Sequence, residues 1–341
     1  MAERPFTVDL HGHLLVPAVE RLVAGRTEKQ AENEAQLRTM GAASVEHNAR
    51  VMMPAIGAKL VSLDARLADL DRMGLDVQVV SPSPNQYYYW ADFDLARELV
   101  RSQNEAIAAA CAAHPARFRG LGNAALQHPE LAVAQLEHAV RELGLAGVEV
   151  GTQVNELELA DEKLERFWAR AEELGALVFI HPFGTSLGER TSRFYLSNLV
   201  GNPAETAIAL SCLIFSGTLD RHPGVKLLAA HGGGYLPPYV ARSDHGFAVR
   251  PEARGASHKP SELLRRIYFD TLVYDPSALR RLVDVVGASQ VVVGTDYPFD
   301  MGHDAPHALV AAVPGLSDAE RRAILGGNAR RLVESLASWQ G

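Results

Sequence analysis

Two histidines separated by one residue, His11 and His13 in Asp9-Leu10-His11-Gly12-His13, stand at the end of the first apolar run of the sequence. In an extended chain residues two apart point to the same side, so both imidazoles can be presented to one metal ion. Taken alone, such a pair also reads as loop histidines held by backbone hydrogen bonds. Three more groups of ligand type close other apolar runs: His181 in Leu177-Val-Phe-Ile-His181, His231 in Leu227-Leu-Ala-Ala-His231 and Asp296 in Val291-Val-Val-Gly-Thr-Asp296. Brought to one face, these imidazoles and the carboxylate could hold a divalent cation and leave a position for water or a substrate oxygen. Covalent acyl chemistry is a poor reading, because Ser186, Ser192, Cys111 and Cys212 lack a nucleophile elbow. Gly232-Gly-Gly234 lacks the spacing of a phosphate-binding loop and serves to let backbone pass close beside His231. The other histidines read as surface or packing residues, with His303 and His307 close enough to the last run to border a pocket.

Such groups meet only if the runs that carry them lie side by side. Eight β-rich runs recur, at 6–10, 77–81, 118–123, 147–150, 177–180, 225–230, 267–271 and 291–294. Most are continuously apolar, the mark of parallel strands covered on both faces. Between them, segments such as 94–114, 129–143, 161–174 and 262–266 carry helical periodicity. Eight βα units predict an α/β fold, a closed (β/α)8 TIM barrel, with an open doubly wound sheet as the alternative. Insertions are expected after strand 1, at about 14–70, and after strand 5, at 183–218, both on the face where barrel enzymes build their pockets. With no repeat and no linker, residues 1–341 read as a single domain.

Composition narrows the partners. Of 341 residues, 47% are hydrophobic, ample for a large core, and 33 Lys and Arg against 41 Asp and Glu give a net charge of -8. That field repels phosphate backbones and anionic lipid, so neither nucleic acid nor a membrane surface is an expected partner. Two separated cysteines support neither a disulfide scaffold nor a thiolate metal cluster. With no signal-like segment and no apolar run of membrane-spanning length, a cytoplasmic location is expected.

The same motifs, with Met73-Gly-Leu-Asp76-Val-Gln, Asn202-Pro-Ala-Glu205-Thr, Ala230-His231-Gly-Gly-Gly234, Gly294-Thr-Asp296-Tyr-Pro-Phe299 and Gly327-Asn328-Ala, give a sequence that resembles the amidohydrolase superfamily. Within it, the resemblance is to the branch of 2-amino-3-carboxymuconate 6-semialdehyde decarboxylase and related nonoxidative decarboxylases. It implies that His11, His13, His181 and Asp296 ligate one divalent metal, zinc with manganese as the alternative. His231 and Asp296 would be catalytic, His231 as the acid/base. No lysine ends the fourth strand in Val148-Glu149-Val150-Gly151, where binuclear relatives carry one, so a single metal is favoured. Arg242, eleven residues after His231, matches an arginine that reaches across a homodimer interface to a substrate carboxylate. Arg50 is the candidate for a second such arginine, although Asn48-Ala-Arg50-Val-Met-Met-Pro54 departs from the family spacing. Phe194, Tyr195 and Trp90 would wall a pocket for a flat, unsaturated or aromatic acid. The implied activity is nonoxidative decarboxylation of a small carboxylic acid. Hydrolysis or hydration of a lactone, amide or enol acid by the same metal-activated water is the second enzymatic reading, and a metal-stabilised binding protein is the third.

Overall fold

The computed structural model describes residues 4–333, so the outermost residues of the expected 1–341 domain lie outside the described residues. All eight expected strands form. They are β1 (Val8–Leu14), β2 (Val77–Pro82), β3 (Phe118–Gly120, continuing at Gly122–Asn123), β4 (Gly147–Gly151), β5 (Leu177–His181), β6 (Lys226–Ala229), β7 (Tyr268–Asp270) and β8 (Val291–Val292). Each pairs in parallel with its neighbour in chain order. The ring closes where Asp9 bridges Val293 and Gly12 bridges Tyr297. The fold is the closed barrel and not the open sheet.

The period of two along each strand sorts the residues. In β5, Leu177 and Phe179 point into the barrel, where they pack with Val8, Leu10, Val77, Val79, Leu228 and Val292. Val178 and Ile180 point outward into the layer shared with the helices. Each fully buried large side chain contributes about 1.5–3 kcal/mol. The same alternation carries His181 inward above Phe179, and it places Glu149 of β4 and Asp270 of β7 on the inner side as well. In β1 the register slips between Asp9 and Gly12. Such a bulge re-aims the side chains beside it, here His11.

The helices Phe93–Ala113, Pro129–Arg141, Glu165–Glu173 and Pro260–Leu264 match the expected periodic segments. The segment between β1 and β2 holds five α-helices, at Pro17–Val23, Thr27–Met40, Ala42–His47, Met53–Val61 and Leu67–Met73. The expected second insertion needs correction. Its latter half is the helix Asn202–Phe215, an ordinary part of the ring, so the extra material ends near residue 201. The two insertions meet over the barrel mouth: Thr191 Oγ1 donates to the carbonyl of Thr39 at 3.0 Å, and Gly41 lies flush against the Ser192 carbonyl. Among the described residues no helix is long and apolar enough to cross a membrane.

Candidate active site and metal centre

Four strands deliver the groups singled out from the sequence to one point at the carboxyl face. His11 and His13 stand on β1, His181 at the end of β5 and His231 just beyond β6. Asp296 follows β8. One ligand atom each from His11, His181, His231 and Asp296 lies within 4.8 Å of the others. His13 adjoins this group, its Nε2 being 3.1 Å from His11 Nε2 and 3.2 Å from Asp296 Oδ1. His231 therefore stands nearer the expected ligands than an acid/base across the pocket requires, with Nε2 3.7 Å from Asp296 Oδ2. His231 and Asp296 both hold left-handed backbone, φ 55° and 56°, a conformation non-glycine residues keep where the surrounding structure imposes it.

Each β1 imidazole is fixed by its far nitrogen. His11 Nδ1 donates to Asp270 Oδ2 at 2.7 Å and His13 Nδ1 donates to the carbonyl of Pro82 at 3.1 Å. Both Nε2 lone pairs are thus aimed at one spot, an arrangement that repels unless a cation stands there. Both ring nitrogens of His181, His231 Nδ1 and Asp296 Oδ1 are buried without hydrogen-bond partners. Orphaned buried polar atoms are costly, and one lone pair from each of these side chains suits a divalent metal. The residues fit the metal that the sequence implies.

Without a metal a proton takes its place. Burial pushes the His11 imidazolium down, but the carboxylates of Asp296 and Asp270 override it and hold the pKa up at about 10. Burial among three other imidazoles pushes His181 well below its ordinary range. Burial would raise Asp296, but the facing imidazoles of His11, His13 and His231 hold it well below the usual carboxylate range. The positive charge of the centre is therefore matched by Asp296 and Asp270.

Above the centre lies a cavity of about 420 Å³ with His181, His231 and Asp296 in its floor. Its walls include Leu15, Met40, Met52, Met53, Phe183, Tyr195 and Phe299, with Asn85, Asn198 and Asn202 as polar groups. Among the described residues no lysine or arginine lines it. Tyr195 lines the pocket. Phe194 does not: it is 83% exposed. Trp90 lines the adjoining cavity of about 280 Å³, where its Nε1 donates to Glu32 at 3.2 Å. Arg50 faces solvent and pairs with Glu46 at 2.8 Å, because the turn at Asn48–Met52 directs Asn48, Ala49 and Met52 inward instead. Arg242 is exposed on the helix Leu236–Val249 and does not line its own chain's pocket. Asp244, the acid nearest in sequence, is occupied by Ser261. His307 bonds Thr7 and Gly74 at the amino ends of the strands, so it caps the opposite face of the barrel and does not border the pocket.

The model of the amidohydrolase family matches residues 8–334. The chain belongs to that family. This amidohydrolase is 38% identical over 268 residues to 2-amino-3-carboxymuconate-6-semialdehyde decarboxylase of Dictyostelium discoideum, covering 78% of this chain and 75% of that protein. It is 28% identical over 297 residues to gamma-resorcylate decarboxylase of Rhodococcus jostii (strain RHA1), covering 81% and 89%. The crystal structure of 5-carboxyvanillate decarboxylase from Sphingomonas paucimobilis superimposes with a TM-score of 0.82 at 26% identity, covering 97% of this chain and 99% of that chain. The amidohydrolase is thus a member of the decarboxylase branch, a group of carboxy-lyases.

Three buried carboxylates escaped the sequence reading. Asp270 holds His11, and Glu149 lies 3.6 Å from His13 Nδ1. Asp9, on the outer side of β1, accepts from Gln78 at 2.7 Å and Thr295 at 2.6 Å. The signal was present: a lone acid inside an apolar strand, as in Val148-Glu149-Val150, stays buried only when it is hydrogen-bonded or paired.

Proposed function

We propose that this amidohydrolase is a metal-dependent nonoxidative decarboxylase of a flat, unsaturated or aromatic carboxylic acid, working as one catalytic domain. The observation that carries the reading is the pair of fixed imidazoles, His11 and His13, with Nε2 atoms 3.1 Å apart and Asp296 Oδ1 3.2 Å from the second. His11, His13, His181 and Asp296 would hold the cation. Three nitrogen donors with a single carboxylate favour zinc, since manganese prefers a set richer in oxygen. When bound, the cation supplies Lewis-acid polarisation of a substrate oxygen and a lowered pKa for water.

The chain's own residues do the rest. Loss of carbon dioxide leaves an electron pair on the carbon that bore the carboxylate, and a proton must reach that carbon as the C–C bond breaks. His231 is in the cavity floor, and its imidazole would deliver the proton. Tyr195, Phe183 and Phe299 exclude water and accept a planar substrate.

Beyond the metal, a substrate carboxylate finds no lysine or arginine among the described residues lining one chain's pocket. We assign that role to Arg242 of a second copy. It shares a helix face with Tyr239, with Tyr235 just before that helix, exposed by 68% and 43%, and Leu199, Val200 and Ile208 are exposed on the turn Ser197–Gly201 and on the following helix Asn202–Phe215. An apolar face of this kind supports a homodimer. A cytoplasmic location completes the proposal. Incubating the zinc-loaded protein with aromatic and muconic-type acids tests it: carbon dioxide release with loss of one carboxylate is expected. Acid consumption or hydration without gas would overturn the decarboxylase reading.

A further inference from the structure

Asp270, the last residue of β7, is fully buried, and the proposed chemistry makes no use of it. Its hydrogen bonds run to two parts of the site. Oδ2 accepts from His11 Nδ1 at 2.7 Å and from the backbone N–H of His231 at 2.9 Å. Oδ1 accepts from the backbone N–H of Gly232 at 2.8 Å and of Leu272 at 3.1 Å. The turn it clamps is left-handed from His231 through Gly234, with φ of 55°, 60°, 77° and 61°. Gly232, Gly233 and Gly234 adopt such φ freely, but His231 does not and is the residue that needs holding. The surroundings leave the carboxylate no freedom. A Cβ at Gly294 would lie 2.6 Å from Asp270 Cβ and 2.9 Å from His11 Cβ.

We infer that Asp270 is a positioning residue that couples cation binding to the placement of the acid/base: one carboxylate fixes His11 with Nε2 toward the centre and clamps the turn that carries His231. The inference rests on the metal reading above. A carboxylate accepting from Nδ1–H sets the tautomer and raises the basicity of Nε2. The same oxygen orders the His231 turn, so whatever binds His11 is felt at His231 through a single atom, Oδ2. A strand-end cap without this role would stabilise the fold and leave both effects out.

Asp270→Asn is the primary test. The amide still offers Oδ1 to the turn but has no second acceptor for His11, and the anion is gone. Zinc affinity, measured by competition with a chromophoric chelator, should fall about 10- to 100-fold, the usual cost of losing such a partner. Hydrogen exchange of the metal-free variant should be faster at the amides of His231 and Gly232 than in wild type. Unchanged affinity with unchanged exchange, or loss of cooperative unfolding as the sole effect, would overturn the inference. A second measurement is independent of that variant. In His231→Ala, whose side chain cannot answer the cation, zinc loading should still slow exchange at residues 231–234, and no change there would contradict the coupling. If wild type itself takes up no zinc, the metal reading fails, whereas zinc uptake equal in wild type and Asp270→Asn rejects this inference alone.

Discussion

The hydroxyl of Tyr87 donates to Glu149 Oε1 at 2.5 Å, a bond between a residue following β2 and the inner face of β4. The other oxygen of Glu149 accepts from Ser81 and lies 3.6 Å from His13 Nδ1. Tyr87 also lines the cavity next to the pocket and meets Phe183 edge-on, so Glu149 ties an aromatic wall to the metal centre.

Glu149→Gln keeps the shape and removes the anion. Zinc affinity is expected to fall about tenfold. Stability should change in the opposite sense with pH. Burial pushes the Glu149 carboxyl above its ordinary 4.5, so its contribution is full below that value and is lost as pH rises through the raised one. The Gln variant lacks this loss, and thermal unfolding of both metal-free proteins across the acid range should show the curves converging toward low pH.

Protons and metal compete for His11. With its pKa held up at about 10, the metal-free imidazole is protonated near neutrality, and zinc binding must release that proton. Below that pKa, zinc affinity should therefore rise about tenfold per pH unit from this group. The metal-free fold has the opposite dependence: the imidazolium's contribution is complete below the ordinary 6.5 and is lost as pH rises through about 10. Calorimetry in buffers of different ionisation enthalpy counts the released proton, and zero release would contradict the assignment.

Gly41 joins the two insertions. Its φ is 79°, and a Cβ there would lie 1.9 Å from the Ser192 carbonyl oxygen. Gly41→Ala should cost about 1–3 kcal/mol of local stability and loosen the roof of the pocket, raising KM more than it lowers kcat. Unaltered KM and unaltered protease sensitivity of the segment around residue 41 would show that the two insertions do not act together.

Arg242 and His231 belong to one pocket only if two copies share it. Arg242→Ala and His231→Ala should each be nearly inactive, and subunit exchange between them should restore about one quarter of wild-type activity, because half the dimers are mixed and half their sites are intact. A mixture that stays inactive after verified exchange would return Arg242 to the surface.

The barrel was legible because strands covered on both faces leave unbroken apolar runs, and because ligand-type residues closed those runs. The helix Thr27–Met40 was not legible as a helix: none of its residues is buried, so it has no apolar stripe to betray its period. Asn202–Phe215 reads as part of an insertion because the polar loop before it hides its start, which lacks a side-chain cap. His11, His13, His181, His231 and Asp296 could be picked out as a group from their positions at strand ends, whereas only the family resemblance sets His231 apart from the ligands. Asp270 lies near the end of the seventh run, but its role rests on partners on β1 and beyond β6, contacts that only the closed barrel creates.

The central claim is that His11, His13, His181 and Asp296 hold one cation on which decarboxylation depends. The most direct measurement is metal content per chain by elemental analysis, paired with carbon dioxide release, for wild type and His181→Ala. About one equivalent of zinc with gas release in wild type, and loss of both in a variant that still unfolds cooperatively, is the predicted result. A full equivalent of metal retained in His181→Ala, or gas release from protein stripped of metal, would contradict it.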